Sequence, residues 1–420
     1  MKRGRGWSTS VAALVMAAPA VLPVAVAGLL LMSACGSCDS TVRQTTLPAV
    51  APGSIDGVQI DQIGRRVYLA DRAHKAVDVI DIRGSSPRFV KAIALGVFPN
   101  GLAFDADRDR LYSAIDGGKV ALIDMNAGSR TYMQVLTRIT VDKTTADLID
   151  YSPDAHRLFV GTGNGGEVVA IDTATNQVAE RYDLNSPVEQ PRYDPADRML
   201  YVTEVGTGSV IQIDPADGRL LRTYQLKSCH PAGLAVNPTR QLALVACSGS
   251  VAFLNLTTGS SSFSHDVQGG DIATYDPYAD RFVIASPHGS KDSAVGVYYG
   301  DGTFLGSVAA APNAHGAVWD NATGLVYAPA AAGLISFAPV ACAPAPEWQK
   351  FALGMSVFVI PLVLVGLVLR GYARSRDRQR DEPRPKSRWR ERHEFLLAER
   401  ERMRALEDAI LDSPDRPATN

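Results

Sequence analysis

The chain carries no strong charge of either sign: the formal net charge is −2 over 420 residues. A basic nucleic-acid-binding body is thereby excluded. Histidine is scarce, and its seven copies never fall at metal-ligand spacing. No serine sits in a nucleophile elbow either. On these grounds no catalytic residue, no metal and no cofactor is expected. The basic character that does exist is local, with ten Lys or Arg against four acids between Arg370 and Arg392.

What is present begins with an export signal. Lys2, Arg3 and Arg5 precede an apolar or small stretch from Val11 to Ala34, the charged and hydrophobic regions of a secreted precursor. Its end, Leu30-Leu31-Met32-Ser33-Ala34-Cys35, looks like a lipobox, with Cys35 as the lipidation candidate. Retention of residues 1–34 as an uncleaved anchor and cleavage after Ala27 are the alternatives. Near the other end, Phe351 to Leu369 is a run of 19 uncharged residues, long enough for the ~30 Å hydrocarbon core. It reads as a transmembrane helix kinked at Pro361. Arginines crowd its C-terminal side, so the tail, residues 370–420, is expected in the cytoplasm and the body outside it, at the cytoplasmic membrane.

Between these segments one pattern recurs seven times: an apolar strand, an Asx-containing turn, a strand with an aromatic or aliphatic centre, a loop, and a strand closing on Ile-Asp. Gly101-Leu102-Ala103-Phe104-Asp105, Arg110-Leu111-Tyr112 and Val120-Ala121-Leu122-Ile123-Asp124 form one copy. The centres Tyr68, Tyr112, Phe159, Tyr201, Leu244, Val283 and Tyr327 are 39 to 47 residues apart, the period of a four-stranded propeller blade. The expected fold is therefore all-β, a seven-bladed β-propeller over residues 42–341. Linkers at 35–41 and 342–350, the C-terminal transmembrane helix and a short amphipathic helix at about 387–411 complete the chain. That last helix is read from Trp389, Leu396, Met403, Leu406 and Ile410.

The repeats resemble the YVTN family of bacterial β-propellers over roughly residues 42–339, with Tyr201-Val202-Thr203-Glu204 nearest to its signature tetrapeptide. The resemblance implies a binding or scaffold platform; some relatives in that family are hydrolases or lactonases.

The seventh unit lacks its own fourth strand. Val42 to Leu47 alternates and is β-branched enough to supply it from the opposite end of the sequence. Five cysteines leave one odd thiol, which lipidation of Cys35 would use. Cys38 and Cys342 then face each other across the closing strands, and Cys229 and Cys247 flank one hairpin, so two disulfides are expected. Cys35-Gly36-Ser37-Cys38 is followed by Asp39 where c-type haem attachment needs His.

Strand alternation puts the loops leading into each first strand on the same face as those joining second to third strands. His74, Asn100, Asp116, Asn164, Glu204, His230, His288, Lys291 and His315 are the polar members of that face and the binding candidates. His230 and His315 occupy nearly equivalent places before first strands, which is expected to put both near the central channel. The expected function is a membrane-anchored, extracytoplasmic, non-enzymatic binding or scaffold subunit with membrane or envelope proteins as partners. A propeller hydrolase or lactonase is the alternative.

Overall fold

A computed structural model describes residues 41–46, 55–287, 293–310, 314–330, 333–339 and 388–411. The export segment with Cys35, the Cys38–Cys342 pair, His288, Lys291 and the apolar run Phe351–Leu369 lie outside the described residues. Among the described residues, no helix is long and apolar enough to cross a membrane.

Seven four-stranded antiparallel sheets form the blades. Blade one is Ile55–Asp61, Arg66–Asp71, Ala76–Asp81 and Arg88–Ala94, and blades two to six repeat its order. In blade seven, Val318–Asp320, Leu325–Ala330 and Gly333–Phe337 are completed by Arg43–Thr46, with Arg43 opposite Ser336 and Thr46 opposite Gly333. The ring therefore closes with a strand from before blade one. Its inner side closes as well. The Gln62 amide donates to the Trp319 carbonyl at 2.6 Å and accepts from the Asn321 N–H at 3.1 Å, while Arg65 pairs with Asp320.

Burial explains why the sheets pack face to face. The third strand Ala76–Asp81 is buried along its whole length, whereas the outermost Arg88–Ala94 buries only Ile93 fully. Seven hydrophobic clusters sit at the seven junctions between blades. One of them joins Val318, Tyr327 and Leu334 of blade seven to Val58, Val67 and Ile80 of blade one. Removing apolar area from water at every junction stabilises the ring, since no blade can bury both faces alone.

One turn is repeated seven times. Each first strand ends on Asp61, Asp105, Ser152, Asp194, Asn237, Asp276 or Asp320, whose side-chain oxygen accepts backbone N–H groups two or three residues on. This Asx or Ser turn ends on a left-handed residue, Arg65, Asp109, His156, Arg198, Gln241, Asp280 or Gly324, at φ between 49° and 69°. The side-chain bonds offset the local cost of positive φ in six non-glycine residues.

The chain divides into two compact units, Met1–Pro344 and Ala345–Asn420. In the second, a helix spans Arg388–Leu411. Leu396 and Met403 are exposed on it, and exposed Phe395 and Leu397 flank Leu396, which broadens the apolar stripe read from the sequence.

Candidate functional site

The seven first strands line a central channel, and one position in each repeat faces its mouth. Five residues before the turn-forming Asx or Ser stand Asp56, Asn100, Asp147, Glu189, Ala232, Asp271 and His315. Three of the strands are bulged there: the register shifts between Ile55 and Val58, between Pro99 and Leu102, and between Val188 and Pro191. A bulge re-aims the side chain it carries, and these carry Asp56, Asn100 and Glu189. Neighbouring backbones approach closely at this level. A Cβ on Gly101 would meet the Asp147 carbonyl oxygen at 2.7 Å, and one on Gly233 the Asp271 carbonyl oxygen at 1.9 Å, so glycine is required at both.

Four carboxylates thus share the mouth with two cationic groups. Arg72, from the turn between second and third strands of blade one, donates to Asp56 at 3.1 Å and to Asn100. Asn100 in turn donates to the Ala146 carbonyl at 2.7 Å. The imidazole Nδ1 of His315 contacts the Asp271 carboxylate. Burial pushes the Glu189 carboxyl up to about 8, aided by the charges of Asp147, Asp271 and Asp56. Burial likewise lifts Asp147 to about 6, with Asp56 and Asp271 adding repulsion, and Asp116 contributes to the same field. Asp56 is raised by burial against the opposing pull of His315 and Arg72. The hydrogen bond to Asp271 raises His315 above the usual imidazole range. Glu189 is therefore mostly neutral near pH 7, and the bond to Asp271 favours the protonated form of His315 over that of a free imidazole.

Below the mouth the channel is crossed by one side chain. Arg192 of blade four donates to the Leu234 carbonyl at 2.9 Å, the Ala273 carbonyl at 3.0 Å and the Asp150 carboxylate at 3.1 Å. It thereby joins blades three, five and six. Gln190 reinforces this floor, its side-chain oxygen accepting from the Leu234 N–H at 2.7 Å and the Ala273 N–H at 3.3 Å. The acidic mouth is floored by this crossing.

Of the residues singled out from the sequence, Asn100, Asp116 and His315 belong to this mouth. His74, Glu204, Asn164 and His230 lie elsewhere on the same face. His74 bonds Asp71 at 2.6 Å, Glu204 is buried and accepts from Thr207 and Ser209, Asn164 is exposed in the 3-10 turn Gly163–Gly165, and His230 is exposed beside Cys229. Cys229 and Cys247 are disulfide-bonded. Asp56, Asp147, Glu189, Asp271 and Arg72 escaped sequence reasoning. Reading down the repeat column five residues before the turn would have found the four acids.

Residues 116–333, more than half of the chain, match the propeller repeat family described as "Outer membrane protein assembly factor BamB". The chain belongs to this family. The expected propeller repeat is thus met, but the matching family is the BamB one and not the YVTN family. No curated protein matches the chain. The solved "Streptogramin B lyase structure" superposes with a TM-score of 0.57 at 14% identity, covering 71% of this chain and 97% of that one. At that identity the likeness shows the fold alone. Matches extend to 1778 solved chains, so resemblance of fold does not discriminate among functions.

Proposed function

We propose that this chain is a non-enzymatic binding or scaffold subunit of the bacterial envelope, with its propeller outside the cytoplasm and the channel-mouth face turned toward a partner protein. Membership of the BamB family, described as an outer membrane protein assembly factor, is the observation that carries this reading. The mouth chemistry agrees with it. Arg192 is committed to holding blades together and Glu204 to a turn, which leaves a polar surface at the mouth. The expected lipid at Cys35 and the apolar run Phe351–Leu369 belong to the same proposal as membrane tethers.

A second reading, an extracytoplasmic hydrolase or lactonase, draws on the His315–Asp271 pair, because an imidazole oriented by a carboxylate is a general-base arrangement. Gentle detergent extraction followed by mass spectrometry separates the two readings. Stoichiometric envelope proteins that survive purification are expected. A lone monomer that hydrolyses esters or lactones, and loses that activity in His315→Ala, would overturn the binding role.

A further inference from the structure

We propose that Asp56, Asp271 and His315 form a binding site for one divalent first-row cation of the manganese or zinc class. This goes beyond the binding role and does not depend on it. The three side chains come from blades one, six and seven, which are consecutive around the ring, and each stands at the same position of its repeat. One ligand atom from each, two carboxylate oxygens and an imidazole nitrogen, lies within 4.8 Å of the others. Donors around a single ion lie about 3–3.5 Å apart given metal–ligand bonds near 2.1 Å. Closing the site therefore asks the donor atoms to draw together by less than about 2 Å, a distance within the reach of side-chain rotation.

The donor set chooses the ion. Imidazole nitrogen disfavours magnesium and calcium, which prefer all-oxygen shells, and the carboxylates disfavour copper(I), which prefers sulfur. Manganese and zinc accept both donor types. Access is also suitable, because the side chains of Asp56, Asp271 and His315 keep 21%, 27% and 33% of their surface exposed. An ion can enter from the mouth and keep water in its remaining positions.

The backbone around the donors is fixed. The Ile55–Val58 bulge aims Asp56, the Asp271 N–H donates to the Ala285 carbonyl at 2.9 Å, and the His315 carbonyl accepts from the Ile272 N–H at 3.0 Å. Each of these contacts belongs to the sheet framework; the side chains engage Arg72 and one another, contacts that an entering ion replaces. Charge favours occupancy as well. Asp147 faces the same space and adds its negative charge to those of Asp56 and Asp271, against the guanidinium of Arg72 and an imidazole that is neutral once it ligates. To ligate an ion through Nδ1, His315 would lose the Nδ1 proton that it now donates to Asp271; that proton goes to solvent and the freed lone pair turns to the metal.

The test uses the full chain, freed of metal by chelation and titrated with Mn2+ and separately with Zn2+. One saturable equivalent is expected for each by calorimetry. Pulsed EPR of the Mn2+ form is expected to show one directly coordinated nitrogen. Asp56→Asn, Asp271→Asn and His315→Gln should each weaken binding at least about tenfold, while His230→Ala leaves it unchanged. Thermal melts establish that each variant is folded; should one not fold, the nitrogen coupling of the parent protein decides. Absence of a saturable equivalent, absence of the nitrogen coupling, or full affinity in a folded His315→Gln would overturn the proposal.

Discussion

The guanidinium of Arg192 donates to the carbonyl of Ala273, 3.0 Å away and two blades further round the ring. It simultaneously engages Leu234 of blade five and Asp150 of blade three. A single long side chain thus fixes four blades at the channel floor. Its charge is matched by Asp150, whose carboxylate also accepts from the Tyr193 N–H at 2.9 Å. Burial lowers the Arg192 pKa and raises that of Asp150, and each opposes the other's shift.

Replacing Arg192 by Met removes one partner of a buried pair and leaves Asp150 without its counter-charge. A loss of about 3–5 kcal/mol is expected, measured by urea denaturation. Arg192→Lys should recover little, since an ammonium cannot reach three acceptors in the plane of a guanidinium. Arg192→Met combined with Asp150→Asn should recover part of the loss.

At Gly233 any side chain would strike the backbone of Asp271. Gly233→Ala is expected to cost more than about 2 kcal/mol, beyond the usual effect of a surface change. Gly84, whose added Cβ would meet nothing closer than 3.7 Å, supplies the comparison. Gly84→Ala should stay within about 0.5 kcal/mol. Paired thermal melts test both.

The Cys229–Cys247 bond spans 18 residues. In the chain-entropy account a loop of this size contributes about 3 kcal/mol. Cys229→Ser/Cys247→Ser should lose roughly that amount, and a reducing agent should lower the melting temperature of the parent protein by more than that of the double variant.

Asp78 is 3% exposed. Burial first and Asp71 second lift its carboxyl from 3.8 to about 7, with His74 pulling it down. A raised folded-state pKa gives stability that is fully present below the unfolded value, near pH 4, and is lost as pH rises through about 7. Asp78→Asn should flatten this part of the stability profile and exceed the parent at pH 8, by at most about 4 kcal/mol. Denaturation midpoints between pH 4 and 8 measure it.

Blade number and ring closure were legible in the sequence because they rest on local chemistry. Asp61, Asp105, Asp194, Asn237, Asp276 and Asp320 mark turns at regular spacing, and Val42–Leu47 alternates as an outer strand should. The channel mouth was less legible. Asn100 and His315 were found as loop polars, but Asp56, Asp147, Glu189 and Asp271 are four among 44 acids, and only superposing the repeats puts them in one column. His230 and His315 read as near equivalents, yet Ala232 occupies the mouth position of blade five and leaves His230 outside. Arg192 carried no signal at all, because a side chain that crosses a ring leaves no mark on local periodicity. The bulges that aim Asp56 and Glu189 were invisible for the same reason, since they depend on pairing with a neighbouring strand.

Site-specific photo-crosslinking in the native envelope tests the binding role most directly. Probes at Asn164 and His230 report on the mouth face, and a probe at Asp217, in the turn between third and fourth strands, reports on the opposite one. The account predicts a discrete crosslinked envelope protein from Asn164 and His230 and none from Asp217. Crosslinks from Asp217 alone, or no crosslink together with ester or lactone turnover by the purified chain, would contradict it.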